Sequence, residues 1–376
     1  MTLGGNRYDL RELAGAFGDL GTLVPFVVGY VTITGLDPVG IFVAFGVSLV
    51  GAGLYFRTPV PVQPMKAIAT AAINHPATVT AGAIGVASLF TAALWLVMGL
   101  TGAATWLARI TSRPVMHGIV LGLGLAFMLE GVRMMQGGML LAVVALALTF
   151  ALLSAGRVPA LLVLLALGGL VAIAREPALL DELLTLGWRP GLPRIAPAAF
   201  TWTDAVTGVL VLGLPQAALT LGNAVMATAD ENNRLFPARP VTVRTLALGH
   251  GVMNLVAGGL GGVPMCHGAG GMAGHVRFGA RTGGAVVLLG VLLLATALLL
   301  GDSVTTLLEL CPVPVLGVIL FFGGLELAAG AQGGDADVQS RYVVAFTAAI
   351  AMWNMGAGYL AGLLLWHALR RGWVRL

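Results

Sequence analysis

Two short stretches carry the polar chemistry of an otherwise greasy chain: Val62-Gln63-Pro64-Met65-Lys66 and Gly262-Val263-Pro264-Met265-Cys266. Pro59, Pro61 and Pro64 crowd the first. Proline cannot continue a helix, and the residue before it favours extended backbone. Pro64 suits the first position of a helix that starts there. The second stretch follows Gly258-Gly259-Leu260-Gly261-Gly262, too rich in glycine for a stable helix. A helix beginning after each break would present unpaired N–H groups and about half a positive charge. Two such ends facing one cavity make an anion site without a fixed cation. The first end would offer amides near Met65, Lys66 and Ala67. The second would offer those near Cys266, His267, Gly268, Ala269 and Gly270, the glycines permitting close approach.

Other polar residues fall inside apolar runs. Asp19 lies between Gly18 and Gly21, and an intramembrane carboxylate is functional by default. Thr22 and Gln63 have the right hydrogen-bonding chemistry and position for such a site, and Gln216 and Asn223 follow an expected break at Pro215. Such amides donate neutral hydrogen bonds to an oxyanion or join membrane helices. Lys66, the single lysine, either neutralises a bound anion or snorkels. Glu130 and Arg133 read as a local ion pair, and Met134, Met135 and Met139 as packing. Cys266 and His267 are too few ligands for a metal, and no cofactor is expected. The chain has no Walker A, His-Glu-x-x-His or Gly-x-Ser-x-Gly pattern, so an enzyme is not expected.

The elements that must position these groups follow from composition. Of 376 residues, 58% are hydrophobic and 10% charged, where a soluble domain carries about 25% charged. That apolar excess cannot be buried in a soluble fold. The chain reads as an all-α polytopic membrane protein. A secreted disulfide scaffold, a nucleic-acid reader and a cytosolic enzyme are excluded. Fourteen apolar segments, near 13–33, 38–56, 59–74, 80–100, 115–130, 138–153, 157–174, 203–227, 241–260, 264–276, 282–300, 312–330, 341–353 and 355–369, can cross or half-cross a core of about 30 Å. Met1 to Glu12 is too polar for a cleaved signal peptide. With fourteen spans, fifteen arginines fall on the side of the termini and only Arg133, Arg175, Arg189 and Arg194 opposite. The positive-inside rule then puts both termini in the cytoplasm and the 175–202 linker outside. That linker divides a first repeat, 1–174, from a second, 203–376. Seven spans per half give an inverted repeat. The broken spans are the third of each half. Seven extended residues from Arg57 to Pro64 reach up to roughly 23 Å, enough to start a half-helix near the midplane.

The segments Glu12-Leu-Ala-Gly-Ala-Phe-Gly-Asp-Leu-Gly-Thr-Leu-Val-Pro25, Pro61-Val-Gln-Pro-Met-Lys-Ala67, Gly222-Asn-Ala-Val-Met-Ala-Thr-Ala-Asp230 and Pro264-Met-Cys-His-Gly-Ala-Gly-Gly271 resemble motifs of the molybdate transporter family, a branch of the sulfate permease superfamily. The resemblance covers the first, third, eighth and tenth spans. It implies a seven-plus-seven inverted repeat with core and gate domains, and uptake of molybdate or a related oxyanion such as tungstate or sulfate. As in the molybdate branch, the cytoplasmic regulatory domain of many sulfate permeases is not expected. The substrate contacts expected are Thr22, Gln63, Met65, Lys66, Gln216, Asn223, Cys266, His267, Gly268, Ala269 and Gly270. In folds of this type the first span approaches the half-helices, which makes Asp19 the expected proton carrier; Glu326, in the gate, is next. The partners expected are the oxyanion, a coupling proton or sodium ion, membrane lipid and a second copy of the chain in a homodimer, in the cell membrane, with no nucleic acid. A nucleobase–cation symporter shares the architecture but is expected to hold its base with carboxylates in the eighth and tenth spans, and the tenth opens Met265-Cys266-His267-Gly268. An anion channel is the other reading, separable by saturation of flux.

Overall fold

The computed structural model describes residues 2–74, 78–155, 160–185, 190–193, 200–301, 304–331 and 337–374. A two-residue hairpin, β1 (Thr2–Leu3) with β2 (Asn6–Arg7), precedes α1 (Leu10–Ala16). Asp9 caps α1, accepting from the amides of Arg11 and Glu12 at 3.0 Å each. Those bonds, Glu12's foremost, hold the Asp9 carboxyl below the usual carboxylate range. A 3₁₀ turn, Phe17–Asp19, leads into α2 (Leu20–Thr34), and the first span bends there by 44°. At the bend Gly18 meets Gly274: a Cβ on Gly18 would lie 2.4 Å from the Gly274 carbonyl oxygen, so only glycine allows the approach.

α3 (Pro38–Phe56) starts on an Asp37 cap with Pro38 at its first position and stops at Arg57, which has φ +57°. Extended residues follow through β3 (Gln63–Pro64), then α4 (Lys66–Asn74). The first half continues with α5 (Ala81–Leu100), α6 (Ala103–Ile110), α7 (Arg113–Gln136), α8 (Met139–Ala155), α9 (Ala160–Arg175) and α10 (Ala178–Leu184). The second half opens with α11 (Trp202–Val206), α12 (Leu214–Leu219) and α13 (Thr228–Leu235), joined by π-helical turns at Thr207–Gly213 and Thr220–Ala227. Then come α14 (Val243–Gly259), β4 (Met265–Cys266), α15 (Ala269–Arg277), α16 (Gly284–Leu300), α17 (Val304–Glu309), α18 (Val313–Gly330), α19 (Val338–Trp353) and α20 (Met355–Arg370).

Among the described residues, each of the fourteen apolar segments read from the sequence contains a helix or half-helix, which is consistent with the count of fourteen. Among the described residues, three helices (α3, α5 and α7) are long and apolar enough to cross a membrane alone, or up to six spans with bent pairs counted. Two local expectations change. Pro64 does not start a helix; it lies in β3, and α4 begins at Lys66. Pro215 does not break the eighth span, because the preceding π-helical turn shifts the hydrogen-bond register in which proline's missing N–H falls. The 45° bend comes later, between Ala217 and Thr220. Arg189 and Arg194, used to orient the chain, lie outside the described residues.

The packing is reciprocal between halves. α3 of the first half lies along α16 of the second, and α5 along α14. α7 packs on α18 and on α19, which is paired with α20. Of the half-helices, α15 packs chiefly on α18 and on the 3₁₀ turn Phe17–Asp19, and α4 chiefly on α2. At the chain's start, the fully buried Glu12 accepts from the amides of Arg281 (3.1 Å) and Thr282 (3.3 Å), tying α1 to the loop before α16.

Candidate anion site at the crossing of two half-helices

β3 and β4 pair antiparallel, Gln63 opposite Cys266 and Pro64 opposite Met265. The Met65 amide donates to the Pro264 carbonyl at 2.9 Å. The two prolines therefore sit where extended chain from each half supplies the other's missing partners, as irregular backbone inside a membrane protein requires. Asn254 of α14 holds β4 at both ends of a peptide: its side-chain oxygen accepts from the Met265 amide (3.0 Å) and its Nδ2 donates to the Met265 carbonyl (2.7 Å).

Immediately after the crossing the half-helices begin. The amides expected to face an anion divide into two groups. That of Ala67 donates to Gln216 Oε1 at 2.9 Å, and Gln216 Nε2 donates on to Thr220 Oγ1 at 3.0 Å. Gln216 thus caps α4 from a distant helix instead of standing open for a ligand. The His267 amide donates to His250 Nε2 at 3.1 Å, and Met65 N is held by Pro264. These three amides have partners because an N–H left bare in a buried site costs several kcal/mol, roughly, in hydrocarbon. The His267 ring is also engaged elsewhere: its Nδ1 lies 2.8 Å from the Pro61 carbonyl, and it stacks edge-on with Phe56 and His250. Cys266 Sγ donates to the Pro64 carbonyl at 3.8 Å. The start of α15 differs. Gly268 is its N-cap and offers no side-chain cap to the amides of the first turn, which Ala269, Gly270 and Gly271 supply.

Around that turn gather most of the remaining expected residues. Asp19 is buried; Thr22 Oγ1 donates to its Oδ1, and Gln63 Nε2 donates to the same oxygen at 3.3 Å. A Cβ on Gly271 would lie 2.8 Å from the Asp19 carboxyl carbon, and one on Gly268 would lie 2.9 Å from the Gln63 side chain. Lys66, within electrostatic reach of Asp19, points its Nζ at the face of Phe127, 3.5 Å from the ring centroid, and has no hydrogen-bond partner among the described residues. The outer oxygens of Gln63 and Asn223 are buried and likewise unpartnered among them. The arrangement has a cation, uncapped helix amides, spare amide groups and a carboxylate at one helix start. It can hold a small oxyanion and exchange a proton beside it.

Asn254, His250 and Phe127 are the residues sequence reasoning missed. Asn254 alone carried a signal, a lone amide in an apolar span. Glu326 belongs to α18, and its side chain is outside the described residues. Glu130 and Arg133 form an exposed pair at 3.3 Å. Among the described residues no group of three or more His, Cys, Asp or Glu could hold a metal ion.

The comparisons with known proteins bear on the family and the fold. Residues 11–127 and 208–327 match a family described as molybdate transporters of the MFS superfamily, one interval in each half. Molybdate transporter 2 of Arabidopsis thaliana is 31% identical over 96% of this chain and 87% of its own length. Molybdate transporter 1 of the same plant is 30% identical, over 98% and 89%. Among solved structures, the transmembrane domain of the cyanobacterial bicarbonate transporter BicA aligns over 96% of this chain and 98% of its own (TM-score 0.59, 15% identity). The murine anion transporter Slc26a9, in its inward-facing state, aligns over 98% and 69% (TM-score 0.65, 12% identity). At such identities these two speak to architecture alone: a mostly helical fold shared with their transmembrane domains. The two matched intervals cover well over half of the chain, and on that ground it belongs to the molybdate transporter family.

Proposed function

We propose that the chain imports molybdate, or the related dianions tungstate and sulfate, across the cell membrane together with a proton, binding the anion at the first turn of α15. The observation that carries this reading is the uncapped, glycine-rich start of α15 beside Phe127, on whose ring the Lys66 ammonium rests with no hydrogen-bond partner among the described residues. Asp19 supports the coupling. Its carboxylate sits against Gly271, at the positive end of the helix where the substrate's charge would go. An ionised Asp19 and a dianion repel there, so protonation favours the anion and the anion favours protonation. Import against a negative interior, opposed by about 2.3 kcal/mol per charge per 100 mV, needs such a cation. A cavity of about 490 Å³ between α2 and the α9–α10 and α17–α18 corners, lined by Arg175, Glu176 and Glu309, supports an entry route along α2, the helix that Asp19 precedes.

The test is direct binding of molybdate, tungstate and sulfate to purified protein, with uptake into proteoliposomes under an imposed pH gradient. Saturable molybdate uptake driven by an acidic outside is expected. Uptake that is linear in concentration, or driven by sodium and indifferent to pH, refutes coupled proton import. The arginine asymmetry supports cytoplasmic termini, with the linker outside and the two repeats on either side of it. Leu192, 80% exposed in that linker, gives the check. In intact cells a Leu192→Cys variant lacking the native thiols is expected to react with an impermeant maleimide; reaction only after permeabilisation reverses the orientation.

A further inference from the structure

One side chain from outside the crossing touches both half-helices. Phe127 is buried on α7, the helix that packs along α18 and α19 rather than with the elements that build β3 and β4. One face of its ring lies 3.5 Å from Lys66 Nζ at the start of α4. Its edge lies against the start of α15 so closely that a Cβ on Gly270 would fall 2.1 Å from Phe127 Cε2. The ring thus fills the space above the amides that an oxyanion would use, and it faces the ammonium an oxyanion would pair with.

We propose that Phe127 is a placeholder for the anion, holding the Lys66 ammonium while the site is empty and leaving it when a tetrahedral oxyanion docks on α15. This rests on the reading of the crossing as an oxyanion site. A buried ammonium without an acceptor is costly, and the negative face of an aromatic ring compensates part of that cost. A doubly charged oxyanion with oxygen acceptors compensates far more, through charge-assisted hydrogen bonds. The exchange of ring for anion is therefore downhill. Because the ring is carried by α7, its departure moves a group belonging to the neighbouring bundle. Occupancy of the site is in this way coupled to the position of α7 and α18 against the half-helices, the relation an alternating-access cycle needs.

The experiment measures molybdate binding to the purified full chain by calorimetry and uptake in proteoliposomes, for wild type and Phe127→Leu. Leucine keeps an apolar group but has no ring face. Removing the empty-state contact is expected to tighten molybdate binding about fivefold, while the maximal uptake rate falls. Molybdate is also expected to raise the melting temperature of the variant more than that of wild type, because only the empty form loses a contact. Phe127→Met, flexible and apolar, gives the same readouts should the leucine variant not fold. Unchanged or weaker binding in the variant that folds overturns the proposal, since a ring that merely walls the bound anion would lose affinity when trimmed. Wild-type protein that binds none of the three oxyanions overturns the underlying reading instead, and is scored before any variant.

Discussion

The two half-helices start from matching sequences, Pro64-Met65 and Pro264-Met265, and end up chemically unlike. α4 begins at once, at Lys66, and its second amide is capped by Gln216 from another helix. α15 begins only after three further residues, Cys266, His267 and Gly268, and among the described residues no side chain caps it. His267 is consumed as a post, bonded by its amide to His250 and by its ring to Pro61. Two helix ends thus start near one point; one is capped and bears a cation, and on the proposed reading the other is the open cradle. A pair of equal cradles would bind an anion with four or more bare amides but would leave them costly when the site is empty. One capped and one open end reduces that cost, and on the proposed reading leaves Lys66 to supply the remaining attraction.

The largest effect that tests this asymmetry is at the cradle. Gly268→Val puts branched bulk where a single Cβ already lies 2.9 Å from the Gln63 side chain. Over-packing there displaces Gln63 from Asp19 and closes the space beside the α15 amides. Molybdate uptake is expected to fall about a hundredfold or more in a protein that still inserts and folds, checked by chromatography and thermal melting. Near-normal affinity would move the site away from α15.

Asp19→Asn comes next, and it sharpens the comparison because Asp19 faces the open end and not the capped one. The amide keeps the shape and still accepts from Thr22 and Gln63, but carries neither charge nor exchangeable acid. Wild-type uptake is expected to rise as external pH falls, because protonation removes the charge that opposes the dianion. The variant is expected to bind molybdate yet accumulate none against a gradient, with a flat pH profile. If it keeps the full pH response, the proton is carried elsewhere, and Glu326 is the next residue to substitute.

How far the sequence went is visible at particular residues. The breaks at Pro64 and Pro264 were legible because proline and glycine change backbone chemistry locally. So was the isolation of Asp19, since a carboxylate in an apolar run has no innocuous place. The fates of individual amides were not legible. Ala67 finds Gln216, 149 residues away, and Met65 finds Pro264, pairings set by how helices pack and not by any local pattern. Gln216 looked like a ligand for the same reason it makes a good cap: a neutral amide serves either. Phe127 carried no signal, being one aromatic residue in an apolar helix.

The smallest expected effect is therefore the most discriminating. Were the two helix ends equivalent, Gln216→Ala would remove a ligand and weaken molybdate binding by about 1 kcal/mol. With α4 capped, the same substitution does something else. It deletes the acceptor of the Ala67 amide and the donor to Thr220, leaving a buried N–H unsatisfied at a cost of about 1–3 kcal/mol in stability. Affinity, set at α15, should change less than about twofold, a difference of about 0.4 kcal/mol. The expected outcome is a lowered melting temperature with molybdate binding nearly unchanged by calorimetry. Gln216→Glu separates the two accounts further: it keeps an acceptor for Ala67 but adds a negative charge near the crossing. If Gln216 is a cap outside the anion's reach, the glutamate variant recovers most of the stability and loses affinity only modestly, by an amount that shrinks as salt is raised. If instead alanine alone costs fivefold or more in affinity at unchanged stability, α4 is a second cradle and the asymmetry drawn between the half-helices is wrong.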